Sequence, residues 1–281
     1  MSDYIDFHNK NILFQKVIRS IIFLSLKLPK NIYCLFWNSI FYLIGNSVRI
    51  KKTKNDTFLI SDQSQSIEIV YKKRFEFYMQ NIETRLEHLT FEYMLSQVEF
   101  YQNDVIIDCG ANIGELYLSI LNQSNNLLLN YYGFEPVPND FYTMARNTNN
   151  LVLEPLALSS NDSEKKFFLR PNTADSSFEP TSGNRSINVK CVTIDQYFKD
   201  IKRIKLLKLE AEGYEFDVLT GAKKSLEKIK YITADLGFEL SNNTESSFDD
   251  VNKFLLQNDF ELIDSTKRNT YLYKNKNYEF D

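Results

Sequence analysis

Four carboxylates gather at the ends of two apolar runs late in the chain: Glu210 and Glu212 in "LLKLEAEG", and Asp235 and Glu239 in "YITADLGFE". Neighbouring carboxylates raise one another's proton affinity, which suits one of them to accepting a proton from an alcohol near neutral pH. Such a set would equally hold a divalent ion, a cation that prefers oxygen ligands and can bind vicinal hydroxyls. For Glu212 there is also a structural role, because "EGYEFDVL" puts it and Glu215 beside a helix start, where acids are favoured. The chain has only two histidines, His8 in a basic tail and His88 on a connecting amphipathic stretch, so a carboxylate is the expected base. Lys208 stands at an inward strand position, where burial would require an acidic partner.

A second constellation lies earlier. "DVIIDCGANIGELYLSI" places Gly110 and Gly114 four residues apart directly after an apolar run, in a chain with only eight glycines. Glycine at such a turn permits backbone angles other residues avoid and close approach to a ligand. A dinucleotide site would show GxGxxG with a pyrophosphate over the helix N-terminus. Here the spacing is GxxxG, and Asp108 stands two residues before the first glycine. That carboxylate would repel a pyrophosphate but suits the ammonium and sulfonium charges of S-adenosylmethionine. Glu135, ending the next apolar run in "YGFEP", can accept hydrogen bonds from ribose hydroxyls. The expected cofactor-binding set is Asp108, Cys109, Gly110, Ala111, Asn112, Gly114 and Glu115 in the turn, with Glu135 and Pro136 beyond the second strand. Ala157, Leu158 and Ser159 would offer backbone to the adenine edge, and Arg85 either pairs with the methionine carboxylate or forms a structural salt bridge.

The elements that must position these groups alternate along the chain. Val105–Ile107, "NYYGFEP", "LVLEPLALSS", "IKLLKLE" and "KYITADLGFE" predict strands, separated by helices from about Ile113, in "DFYTMARNTN" and over "GYEFDVLTGAKKSLEKI". "KKFFLR" and "SINVKCVTI" predict added strands, with a helical turn in "TIDQYF". A helix over "SFDDVNKFLLQND" precedes "FELIDST" and "TYLYKN", whose short "KRN" turn makes that pair antiparallel. A mostly parallel sheet with helices on both faces follows, closed by an antiparallel hairpin. This is the Rossmann-like arrangement of class I methyltransferases, with ligands expected beyond the carboxyl ends of the strands. Residues 172–187 predict a loop beside that pocket.

"IIDCGANIGELYLS", "GFEPVPNDFYTMARN", "LALSSNDSEKKFF", "VTIDQYF" and "LLKLEAEGYEFDVLTGAKKSL" resemble the FkbM-type S-adenosylmethionine-dependent methyltransferases, from about Arg85 to Glu239. Seven of the eight glycines, all but Gly45, fall within that stretch, which leaves residues 1–57 outside it. The resemblance implies methyl transfer to a hydroxyl of a sugar, polysaccharide or glycolipid precursor. It leaves two alternatives, a soluble polyketide-like acceptor and a non-catalytic assembly protein of the same fold. Where the family usually reads "KIDVEG", this chain reads "KLEAEG". Glu210 therefore stands in place of aspartate, and its carboxylate reaches about 1.5 Å further.

Net charge is −4 overall, yet residues 1–54 carry nine Lys/Arg against two acids, leaving the rest at −11. So acidic a body excludes nucleic acid as the main partner, since binding it depends on neutralising phosphates. Eighteen uncharged residues separate Lys30 from Arg49, but Asn31, Asn38, Ser39, Gly45, Asn46 and Ser47 interrupt them. Two helices broken at Pro29, with a Trp37-bearing apolar face and a basic fringe, are expected instead of a span. They would lie on an anionic leaflet, dock on the acidic body, or pair two subunits as a homodimer. The expected organisation is a basic helical segment over 1–57, a hairpin-plus-helix connector over 58–103, and the methyltransferase domain over 104–281. Three scattered cysteines form no disulfide or zinc pattern. The expected location is the cytoplasm, peripheral on the inner face of the cell membrane where the helices bind lipid.

Overall fold

A computed structural model describes residues 12–124, 127–148, 151–169, 176, 178, 185–237 and 247–278. The chain divides into two compact units, Met1–Glu87 and His88–Asp281. Glu239 and most of 172–184 lie outside the described residues, whereas 185–187, expected in a loop, begin a strand.

In the first unit, α1 (Ile12–Ser25) and α2 (Lys30–Leu43) meet at Pro29, which occupies the N-cap of α2. Three short strands follow as an antiparallel meander, β1 (Arg49–Lys52), β2 (Phe58–Ser61) and β3 (Ser66–Ile69). The expected hairpin is β2–β3, and it shares its sheet with β1 from the basic segment. Its turn is tied by Asp62, whose Oδ1 accepts from the N–H groups of Ser64 and Gln65. Tyr33, Trp37 and Phe41 of α2 pack with Phe58 and Phe75. Trp37, expected on the apolar face that would meet lipid, the acidic body or a second subunit, is thus a core residue of this unit, its indole N–H donating to Ser25 Oγ at 3.2 Å. Among the described residues no helix is long and apolar enough to cross a membrane. Helix α3 (Ile82–Glu92) runs across the boundary between the units.

The second unit begins with the end of α3 and alternates strand and helix: β4 (Val105–Cys109), α4 (Glu115–Gln123), β5 (Asn130–Phe134), α5 (Pro138–Asn147) and β6 (Val152–Glu154). Then come β7 (Ala157–Leu158), β8 (Ser163–Leu169), β9 (Arg185–Val192) and α6 (Ile194–Tyr197). β10 (Ile204–Leu209), α7 (Glu215–Thr220), β11 (Ile229–Asp235), α8 (Phe248–Gln257), β12 (Phe260–Ser265) and β13 (Thr270–Asn275) complete it. Seven strands form one sheet in the order β12-β13-β11-β10-β4-β5-β6. β11, β10, β4, β5 and β6 run parallel, and β13 is antiparallel between β11 and β12. The order reverses between β10 and β4, the place where such sheets bind ligands. Ile106, Leu206, Tyr131 and Leu272 pack with Tyr93 and Leu95 on one face. Ile107, Leu207, Phe134 and Ile232 pack with Val218 and Leu255 on the other.

Two expected elements are shorter than anticipated. "LVLEPLALSS" is two strands, because Pro155 has no N–H to continue the ladder past Glu154. Ala157 and Leu158 pair instead with β9 in a separate three-stranded sheet, β7-β9-β8. The long helix expected after β10 stops at Thr220. There a Cβ on Gly221 would lie 2.1 Å from the Ser159 carbonyl oxygen, so the approach of that chain demands glycine.

Candidate functional site

Register fixes the site. Phe134, Cys109, Leu209 and Ala234 lie side by side on β5, β4, β10 and β11. The next residues along these four parallel strands are Glu135, Gly110, Glu210 and Asp235. One row at the carboxyl edge of the sheet therefore brings together the glycine turn, the acid of the second strand, and acids of the fourth and fifth. The row two residues back, Gly133, Asp108, Lys208 and Thr233, shares the face of that edge row, while Phe134, Cys109, Leu209 and Ala234 point to the other.

In that inner row Lys208 is the hub. Its Nζ lies 3.3 Å from Asp108 Oδ1 and 2.7 Å from Glu210 Oε2, and donates to the carbonyls of Cys109 at 3.1 Å and Gly110 at 2.8 Å. Burial works against its charge, but Asp108 and Glu210 outweigh that and hold the amine above the ordinary lysine range. Asp108 is wholly buried, with Oδ2 accepting from the Tyr131 hydroxyl. Burial pushes its carboxyl up, and Lys208 pulls it back. Asp108 was expected to meet the positive charges of a cofactor; its charge is instead committed inside the protein. It fixes Lys208, which in turn clamps the backbone of the turn.

The turn itself is rigid. Gly110 N–H and Ala111 N–H both donate to Phe134 O, at 3.1 and 3.0 Å, and Gly114 N–H donates to Ala111 O at 2.9 Å. Gly110 has φ +72°, and a Cβ there would lie 2.3 Å from Glu210 O, so β10 and the turn touch through backbone. Cys109, Ala111 and Glu115 are buried, while Gly110, Asn112 and Pro136 are partly exposed. Glu135 is buried and bridges both loops: Oε2 accepts from Asn112 N–H and Oε1 from Val137 N–H, each at 2.8 Å. Burial, with Asp140 adding repulsion, pushes its carboxyl up to about 8.

Glu210, about one-third exposed, accepts from the Tyr93 hydroxyl at 2.7 Å on the same Oε2 that faces Lys208. Tyr93 is buried, and its own carbonyl receives the Thr233 hydroxyl at 3.0 Å. Asp235, partly exposed, has no such cation beside it among the described residues. Burial, then the charges of Glu210, Glu92 and Glu215, push it up to about 8, against a weak opposing pull from Arg268. Glu212 sits in the turn after β10 with φ 51°. Glu215, the first residue of α7, ties down the preceding turn, its Oε1 accepting from Ala211 and Gly213 N–H at 2.8 and 3.1 Å, and among the described residues no side chain caps the helix start. Among the described residues no group of three His, Cys, Asp or Glu side chains is arranged to hold a metal ion.

Four expected residues do not belong to this row. Arg85 belongs to the first unit, its guanidinium 4.7 Å from the centre of the Phe77 ring. Ala157 and Leu158 are buried in the smaller sheet. Ser159 N–H donates to Val192 O at 3.0 Å, and its hydroxyl joins Asp217 and Lys165, each at 2.6 Å. Its backbone donor is thus used within the fold. Tyr93 and Tyr131 were missed by sequence reasoning. Lys208 left a visible signal, a second lysine after Lys205 in the six-residue apolar run "IKLLKL", a strand that is buried throughout.

Residues 108–262, just over half of the chain, match the family model described as Methyltransferase FkbM domain. The hexuronic acid methyltransferase AglP of Haloferax volcanii is 24% identical over 184 residues, 61% of this chain and 68% of that protein. Among solved structures, methyltransferase FkbM from Methylobacillus flagellatus KT aligns over 70% of this chain with TM-score 0.45 and 16% identity. This chain spans 56% of that structure's length. M. jannaschii TYW2 in complex with AdoMet aligns over 82% of this chain and 91% of its own, with TM-score 0.37 and 11% identity.

Proposed function

The chain belongs to the FkbM methyltransferase family, and on that premise we propose that it is an O-methyltransferase. In this reading a methyl group passes from S-adenosylmethionine to a hydroxyl of a sugar, polysaccharide or glycolipid precursor. The observation that carries it is the row Glu135, Gly110, Glu210 and Asp235 along one edge of the sheet.

The residues present fit such a cofactor. Each oxygen of Glu135 receives one backbone N–H, and a carboxylate oxygen has a second lone pair, which suits ribose hydroxyls. Gly110, Ala111 and Asn112 would take the adjoining part, on a turn that Lys208 holds in place. When bound, S-adenosylmethionine supplies an electrophilic methyl on its sulfonium.

Asp235 is our choice for the base. A carboxyl pushed up to about 8 exchanges a proton with an alcohol near neutral pH far better than an ordinary one. Glu210 is less suited, because its Oε2 is already engaged by Lys208 and by the Tyr93 hydroxyl. It is better employed in accepting hydrogen bonds from acceptor hydroxyls and so orienting the sugar. Glu212 stands close enough in sequence to line the same acceptor side. This acidic wall favours neutral hydroxyls over a carboxylate, and a saccharide acceptor also draws support from the relative that methylates a hexuronic acid.

The test uses S-adenosylmethionine labelled in its methyl group with neutral, uronic and lipid-linked saccharides. The expected product keeps its label through mild alkali, as a methyl ether does. Label released by alkali would mean ester formation on a carboxylate and would overturn the hydroxyl assignment. Absence of cofactor binding in isothermal titration would overturn the cofactor assignment.

A further inference from the structure

We infer that the two helices of the first unit form a docking surface for an anionic lipid bilayer, lying in its interface without crossing it. This does not rest on the methyl-transfer reading, since it concerns a different unit of the chain.

Helix α2 is apolar on two opposite sides. Tyr33, Trp37 and Phe41 form the stripe that enters the core of the unit. At 100° per residue, Ile32, Leu35, Tyr42 and Leu43 fall on the far side, with Ser39 the one polar residue among them, and Tyr42 and Leu43 are 76% and 81% exposed. A helix that is apolar all round is ordinarily buried all round. Val17, Ile21 and Leu24 repeat the pattern on α1 at helical spacing, each exposed. The pair is held firmly in place: Lys72 Nζ donates to the carbonyls of Leu26 and Leu28, and Trp37 ties α2 to Ser25. The outer stripes are therefore a fixed feature of the unit's surface.

Charge identifies the occupant. Between residues 12 and 55 there are eight Lys/Arg and no Asp or Glu. Lys30 and Lys52 are spent on Asp56. Lys16, Arg19 and Lys27 are exposed, and none has a carboxylate partner among the described residues. A wide apolar stripe beside unneutralised cations matches the boundary between acyl chains and anionic headgroups. A protein partner would need an equally apolar face rimmed with acids. A spanning helix is excluded for the described residues by length and polarity.

The experiment is co-sedimentation of the full chain with vesicles of equal parts phosphatidylglycerol and phosphatidylcholine, against phosphatidylcholine alone. Binding is expected on the anionic vesicles only, and it should weaken as salt is raised. Leu35→Glu combined with Leu43→Glu should abolish it, while circular dichroism shows the fold retained, as both sites are exposed. Lys16→Gln, Arg19→Gln and Lys27→Gln should each weaken it about five-fold. Failure of the wild-type chain to sediment, or equal binding to neutral vesicles, would overturn the inference. So would a dimer in sedimentation velocity that Leu35→Glu dissociates and anionic vesicles do not, because the stripe would then serve a second copy of the chain.

Discussion

Lys208 Nζ sits between Asp108, 3.3 Å away on the adjacent strand, and Glu210, 2.7 Å away at the end of its own. One buried cation thereby joins the interior of the sheet to its functional edge. Removing it leaves two carboxylates facing each other without a counter-charge. Lys208→Met should cost about 3–5 kcal/mol in urea unfolding, the usual penalty for breaking a buried pair on one side. Asp108→Asn added to it should restore part of that loss, since the stranded charge goes with it. A double-mutant cycle reads the coupling, and strictly additive effects would contradict the pairing.

Asp235 carries a prediction in pH. Its carboxyl is pushed up to about 8 from an ordinary value of 3.8, so between those two values the folded chain binds more protons than the unfolded one. Stability from this group is therefore fullest below about pH 4 and falls as pH rises toward 8. At its steepest the slope is about 1.4 kcal/mol per pH unit. Asp235→Asn should flatten this part of the profile. If Asp235 is the base, the rate should climb with a midpoint near 8, and the same substitution should lower kcat by about 10²–10⁴-fold with little change in cofactor affinity. A parallel loss of cofactor binding would point to a structural role instead.

Much of this arrangement is legible in the sequence, for identifiable reasons. Alternating apolar runs and helical spacing give the succession of strands and helices, and the "KRN" turn gives the antiparallel pair. Gly110, Glu135, Glu210 and Asp235 stand out because each follows directly on an apolar strand. What escapes is set by register and by choice of face. Nothing near Tyr93 announces that its hydroxyl meets Glu210, 117 residues on. The charge of Asp108 looks available for a ligand until Lys208 is found beside it, and the pairing depends on how β4 and β10 align. Trp37 lies on a helix with two apolar sides, and sequence alone cannot say which one packs.

Glu135 should matter for binding as well as for folding. Its two backbone bonds hold the loops of Asn112 and Val137, and Glu135→Gln keeps the shape but puts a donating NH2 where one oxygen now accepts an N–H. Hydrogen bonds from ribose hydroxyls are worth about 0.5–1.5 kcal/mol each. Isothermal titration of S-adenosylmethionine should therefore show affinity reduced by about 10- to 100-fold, alongside a stability loss of about 1–3 kcal/mol for the N–H left unpaired. Unaltered affinity would remove Glu135 from the cofactor site.

Gly110 and Gly45 make a controlled pair. Their φ angles are nearly the same, +72° and +70°, so alanine meets the same backbone strain at either, about 1–2 kcal/mol. Their surroundings differ. A Cβ at Gly45 meets nothing within 4 Å, whereas one at Gly110 would stand 2.3 Å from Glu210 O, a backbone atom that cannot swing aside. Gly45→Ala should cost no more than the strain, and the chain should still bind cofactor. Gly110→Ala should cost several kcal/mol more, because the turn must move away from β10 and break the bond from Lys208 to the Gly110 carbonyl. Equal costs in thermal unfolding would mean that the turn and β10 are not in contact, and the row of site residues would lose its central member.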